Sequence, residues 1–299
     1  MRIPTLSISD AAIAQIQNLT ATQTQLQKQA STGQRIFLPQ DDPAAMNRLL
    51  NDDNQSRQLS QYQTNATTAL NLAQSSYAGL TQFSSLATRA GELATLGSGV
   101  NGADATNAYS TELNQLIEQA VQTGNSQFGG NYLFAGTALT TTPYTVTRDA
   151  TTGQITAVAY AGNTAQSSIA LSSSASVTAG TSGATNTGIR DFINQLVALR
   201  DGLKASDSAA ISAASTALTA SETTITDAVS ENGAGQLRIQ AAQTQLTAAA
   251  QNLGQLVSTD SSADLPSTIV KLNQASTAYQ AALSSSAKLL QTSLLDYIK

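Results

Sequence analysis

The chain has 299 residues, enough for about two domains. A net charge of −5, from 14 basic and 19 acidic residues, excludes the basic face that a nucleic-acid binder needs to neutralise phosphates. Cys and His are both absent. That removes disulfides, thiolate nucleophiles, the commonest general base and the commonest metal ligand, so no metal or cofactor is expected and most enzyme classes fall away. Only 11% of the residues are charged and 4% aromatic, with no Trp, which favours thin helical packing through small residues over one thick core. No apolar run reaches the roughly 18 residues of a membrane-spanning helix. Asp10 interrupts the window where a cleavable signal peptide needs an unbroken apolar stretch, which leaves export by another route open.

From Ala12 to Ala30 a four-three repeat (Ala12, Ile16, Leu19, Gln23, Leu26, Ala30) draws one narrow seam along a helix. Gly33 supplies its left-handed stop, and Gln34 to Pro39 read as an extended connector. Asp42 then caps a new helix with Pro43 in its first position, and Arg35 is placed to pair with Asp41 or Asp42. Two seven-residue rows follow. One is Leu59, Ala66, Ala73, Leu80, Ala87 and Ala94; the other is Tyr62, Ala69, Ser76, Phe83 and Ala90. This long helix stops in Gly97 to Gly102, and Asp104 is expected to cap a third helix through Ala120.

The character changes at Gly129-Gly130. Tyr144 to Arg148, Gln154 to Tyr160 and Ser167 to Ser173 read as short strands, while Ser172 to Gly188 is nearly all small and polar. Helical pattern returns at Ile189. A strict seven-residue row then runs through Ile211, Leu218, Ile225, Asn232, Ile239, Leu246 and Leu253, with small companions at Ala214, Ser221, Ala228, Gly235, Ala242 and Ala249. After a break near Thr259 to Pro266 the last helix carries Ile269, Leu272, Tyr279, Leu283, Leu290 and Leu294.

The expected fold is therefore mainly α: a long antiparallel helical bundle or coiled coil formed by both chain ends, with a small β-rich inserted domain. The boundaries are 1–40 plus 262–299 for a terminal coiled-coil assembly domain, 41–130 plus 187–261 for a helical rod domain, and 131–186 for the insert. A single thin seam leaves the terminal helices marginal on their own. Ile13, Ile16, Leu19 and Leu26 at one end, and Ile269, Leu272, Tyr279, Leu283, Leu290 and Leu294 at the other, are the expected assembly interface, with Leu289 as a further off-seam residue.

Chemical readings of the polar motifs are weaker than structural ones. Asp41-Asp42 suits helix capping better than metal binding. Ser31-Thr32-Gly33-Gln34-Arg35 lacks the Gly-Lys-Ser/Thr core of a phosphate-binding loop. Asp149 is the only acid in 131–186, which rules out a two-carboxylate mechanism inside the insert. The reading is a structural protein, not an enzyme.

Met1-Arg2-Ile3-Pro4-Thr5, the run from Gln29 to Ile36, and Asp41-Asp42-Pro43-Ala44-Ala45 resemble the N-terminal signature of bacterial flagellin-type proteins. Gln61 to Asn65, Gly130 to Thr137 with Pro143-Tyr144, and the ending Ser293 to Ile298 are similar to the hook-associated branch of that family more than to filament flagellin. The likeness covers about 1–144 and 190–299. Pro4, where Ser is common, and Gly124-Asn125-Ser126, where Ala-Asn-Thr is usual, are its departures. The resemblance implies a structural subunit of the bacterial flagellum at the junction of hook and filament. It implies export unfolded by the flagellar type III route with an export chaperone. Copies would form a ring-like homo-oligomeric layer between hook-associated protein 1 and flagellin, with the insert facing outward. Filament flagellin is the alternative within the family, and a secreted surface adhesin module the alternative outside it.

Overall fold

Long seven-residue rows need partners along their whole length, and six helices among the described residues supply them. In this computed structural model residues 3–99 and 102–298 are described, with the backbone alone for 3–9 and 289–298. The order is α1 (Ile3–Thr32), α2 (Pro43–Gly97), α3 (Ala103–Gly124), β1 (Gln127–Phe128), β2 (Asn131–Tyr132), β3 (Tyr144–Arg148), β4 (Ile155–Tyr160), β5 (Ser168–Ala170), β6 (Ser176–Thr178), α4 (Gly183–Ala205), α5 (Ser208–Ser261) and α6 (Leu265–Ile298). They divide into two compact units, Met1–Arg57 with Ala250–Lys299, and Gln58–Ala249. No helix among the described residues is long and apolar enough to cross a membrane.

In the unit Gln58–Ala249 the rows become a core. Leu80, Phe83, Ala87, Ala90 and Ala94 of α2 are buried with Leu113 and Ile117 of α3, Ile189, Phe192, Ile193 and Leu196 of α4, and Ile211, Leu218 and Ile225 of α5. Phe83 meets Phe134 and Phe192 edge-on, with ring centroids at 5.8 Å and 6.3 Å. Such T-shaped pairs add about 0.5–1.5 kcal/mol beyond the area they bury. Ala66, Ala69, Ala73, Ile239 and Leu246 form a second, smaller cluster under the β5–β6 hairpin. The buried Arg200 ties β4 to the helices: its Nη1 donates to the Ile155 carbonyl at 2.7 Å and to Asn114 Oδ1 at 3.2 Å.

The β-rich region is three separate two-stranded antiparallel sheets, β1–β2, β3–β4 and β5–β6. Gly129 and Gly130 turn the first with φ of +58° and +83°, the pair of left-handed residues that a two-residue type I′ hairpin requires. β3 occupies the expected Tyr144–Arg148, while β4 and β5 are shorter than read. β6 lies in the stretch that the sequence leaves featureless. Its three residues, Ser-Val-Thr, are too short a run to stand out, and it is held by Ile169, Leu171, Val177 and Ala179 packing on the smaller cluster. Two helix starts also differ from expectation. α3 is capped by the Gly102 backbone, with Asp104 inside its first turn. α4 begins at Gly183, because the Ser182 hydroxyl accepts from the Thr185 amide at 3.0 Å, earlier than the first apolar residue Ile189.

Candidate assembly surface

In the unit Met1–Arg57 with Ala250–Lys299, α1 stops where α6 begins, and the two pack side by side, hence antiparallel. Gly33, at φ +70°, ends α1 and donates its amide to the Gln29 carbonyl at 2.9 Å. The chain is then stitched to the α5–α6 link. The Arg35 amide donates to the Ser261 carbonyl at 2.7 Å, and the Ala263 amide donates to the Gly33 carbonyl at 2.8 Å. Ile36 is buried at this crossing.

The connector owes its shape to carboxylates. Asp41 Oδ2 accepts from the amides of Phe37 at 2.9 Å and Leu38 at 3.0 Å, bonds that hold its carboxyl below the usual range. Asp42 Oδ1 accepts from the Ala45 amide at 3.0 Å as the cap of α2, whose first residue is Pro43. Its Oδ2 accepts from Arg35 Nη1 at 3.1 Å. The Ala45 amide first, then Arg35, keep the Asp42 carboxyl low. Lys28 Nζ sits 4.1 Å from the centre of the Phe37 ring.

A second clamp was invisible in the sequence. Arg48 forks onto Asp260, with Nε to Oδ2 at 2.7 Å and Nη2 to Oδ1 at 3.0 Å, while Arg35 Nη2 donates to the Asp260 carbonyl at 3.1 Å. Arg48 holds the Asp260 carboxyl below its ordinary range. Arg48 and Asp260 are 212 positions apart, so no local spacing signals the pair.

The expected interface residues fall into two groups. Ile16, Leu19 and Leu26 of α1, with Leu272 and Tyr279 of α6, are half-buried along the seam between the two helices. Ile13, Ile269 and Leu283 are turned outward, with 55%, 50% and 43% of their surface exposed. Leu290 and Leu294, with Leu289, lie outside the described side chains. Leu38, Leu50, Leu256, Leu265 and Val270 add further exposed apolar surface to this unit. Beside the connector, Ile16, Thr20, Lys28, Phe37 and Leu38 line an open groove of about 610 Å³. Among the described residues of the unit, only Ile36, Ala45, Leu253, Thr268 and Ala275 are fully covered. These exposed apolar side chains make the α1–α6 pair the candidate interaction surface.

Residues 3–139 match the model of the bacterial flagellin N-terminal helical region. By sequence comparison no curated protein matches the chain. Among solved structures, the fold resembles a protein described as flagellar hook-associated from Vibrio parahaemolyticus, at 18% identity and a TM-score of 0.64, covering 74% of this chain and 99% of that one. It also resembles FlgL from Bacillus cereus (17%, TM-score 0.59, covering 70% and 99%) and FlgL from Xanthomonas campestris (15%, TM-score 0.57, covering 69% and 99%). The flagellin-type match thus lies in the first part of the chain and covers a little under half of it. Beyond that part the likeness is one of fold, shared with the solved flagellar hook-associated proteins.

Proposed function

We propose that this chain is the structural subunit that joins the hook to the filament of the bacterial flagellum, assembling through its terminal helices into a ring-like layer of copies. The observation that carries the reading is the outward face of Ile13, Ile269 and Leu283, which the α1–α6 pair does not cover. The flagellin N-terminal match and the hook-associated fold support a place in that organelle. On this reading the layer meets hook-associated protein 1 on one side and flagellin on the other. The subunit reaches its extracellular place through the flagellar type III route with an export chaperone, and it performs no catalysis.

A strain lacking the gene tests the role. It is expected to build hooks and shed flagellin into the medium; normal filaments in that strain would overturn the junction role. The family match is to a flagellin region, which favours filament flagellin as the second reading. Antibody labelling separates the two: a single band at the filament base supports the junction, and label along the whole filament supports flagellin.

A further inference from the structure

A helix packed along its length buries a residue at each turn, and within the unit Gln58–Ala249 α5 does so in two separate stretches. Ile211, Ala214, Leu218, Ser221, Ile225 and Ala228 are buried in the first, Ile239 and Leu246 in the second. From Val229 to Arg238, about three turns, no residue is buried. The seven-residue row breaks in the same place, where Asn232 stands between Ile225 and Ile239.

Two glycines follow, Gly233 and Gly235, and packing requires neither. A Cβ at either position would meet nothing within 4 Å. Each lowers the local helix equilibrium about fivefold relative to alanine. The bond from Gln236 Nε2 to Asn232 Oδ1 at 2.8 Å lies within this stretch and ties it to no other element.

The two sides of the gap belong to different clusters. Ile225 and Ala228 lie with Leu80 and Phe83 of α2 in the main core. Ile239 and Leu246 lie with Ala66, Ala69 and Ala73 of α2, and with Leu171 and Ala179 beside the β5–β6 hairpin. On α2 the boundary falls between Ala73 and Leu80. There Ser76 buries a hydroxyl that has no hydrogen-bond partner among the described residues, which weakens the layer that holds it. Across the boundary runs an open cleft of about 700 Å³. It is lined by Ala228 of the main core and by Leu171 and Leu246 of the smaller cluster, with Asn232 and Gly235 of α5 between.

We infer that residues 232–235 are a hinge in α5, about which the smaller cluster and its β5–β6 hairpin swing against the main core. The unburied stretch supplies the freedom, the glycines supply a backbone that bends, and the cleft supplies the room. Opening also brings water to Ser76, whose hydroxyl then gains the partner it lacks when closed. α2 runs through the boundary with no glycine from Ala66 to Tyr77, so it curves gently while α5 gives way at one place. The angle between the two clusters changes without unpacking either. The hinge belongs to one unit of a single chain and stands independently of the assembly reading.

Hydrogen exchange and distance measurements on the full-length, unassembled protein test it together. The amides of Gly235 to Ile239 are expected to exchange at least about tenfold faster than those of Ile225 to Val229. The chain has no Cys, so spin labels are placed cleanly by paired substitutions. Thr111→Cys with Thr244→Cys spans the hinge, and Thr111→Cys with Thr223→Cys stays on the main-core side; all three positions are exposed. The spanning pair should give the wider distance distribution. Gly233→Ala with Gly235→Ala adds two methyls that meet nothing. That double change should narrow the spanning distribution to the width of the other and slow exchange at Gln236 to Ile239 by about tenfold or more. Equal widths in the native sequence would overturn the hinge, as would equal protection of the two stretches. A wide distribution that the alanines leave unchanged would also overturn it, since the motion would then lie elsewhere.

Discussion

The two units of this molecule use the same seven-residue spacing and reach opposite results. In Gln58–Ala249 the rows carry Leu80, Phe83, Leu218 and Ile225, and four helices close over them until almost nothing is exposed. In the terminal unit the row Ile16, Leu19 and Leu26 meets one partner helix and stays half-buried, while Ile13, Ile269 and Leu283 face outward. Periodicity fixes which residues share a face; the number of neighbours fixes whether that face is satisfied. The first unit buries its rows within one chain, and the second leaves part of its own uncovered.

Removing residues 1–30 or 270–299 should break the comparison most sharply. Assembly is expected to vanish, measured by sedimentation, while the cooperative thermal transition of Gln58–Ala249 persists. Phe83→Ala should do the reverse, since it empties the centre of an aromatic cluster. It is expected to destabilise that unit by about 3–5 kcal/mol in denaturant unfolding, with the ends of the chain unaffected. Ile269→Ser sharpens the same contrast. It removes an exposed apolar contact, so monomer stability should move by no more than about 0.5 kcal/mol while the critical concentration for assembly rises.

Smaller effects belong to the connector. Asp42→Ala deletes the α2 cap and the Arg35 partner together, and should lower local stability, read as faster amide exchange of residues 43–46. Acid should act on the same place. The carboxyls of Asp41, Asp42 and Asp260 are all held below the 3.8 of an unperturbed Asp, by backbone amides in the first two and by Arg48 in the third. A depressed folded value means that their stabilisation is complete above that pH and is lost as pH falls through the folded values. The connector amides of Phe37, Leu38 and Ala45 are therefore expected to lose protection below about pH 4, before the aromatic core of the other unit responds.

Much of this was legible in the sequence because it is local or periodic. The rows of α2 and α5, the Gly33 stop, the Asp42-Pro43 start and the strand at Tyr144–Arg148 each announce themselves within a few residues. What stayed hidden depends on distant partners or on backbone alone. Arg48 finds Asp260 only once α2 and α5 are placed; Asn125 and Asn194 look like ordinary loop and helix residues until a strand edge arrives beside them. β6 stayed hidden because Ser-Val-Thr is too short a run to stand out, and Val177 and Ala179 hold it on a helical layer. The seam of α6 shows the same limit. The sequence groups Ile269 and Leu283 with Leu272 and Tyr279, yet only the latter two are half-buried.

The most direct test is hydrogen exchange on purified, unassembled protein, comparing α1 and α6 with α2 and α4 across Leu80–Leu93 and Ile189–Leu199. Fast exchange in the terminal pair beside slow exchange in the core helices is the expected result, with the terminal pair slowing once copies assemble. Equally slow exchange in both regions of the lone molecule would contradict it, because the ends would then need no neighbour to be stable.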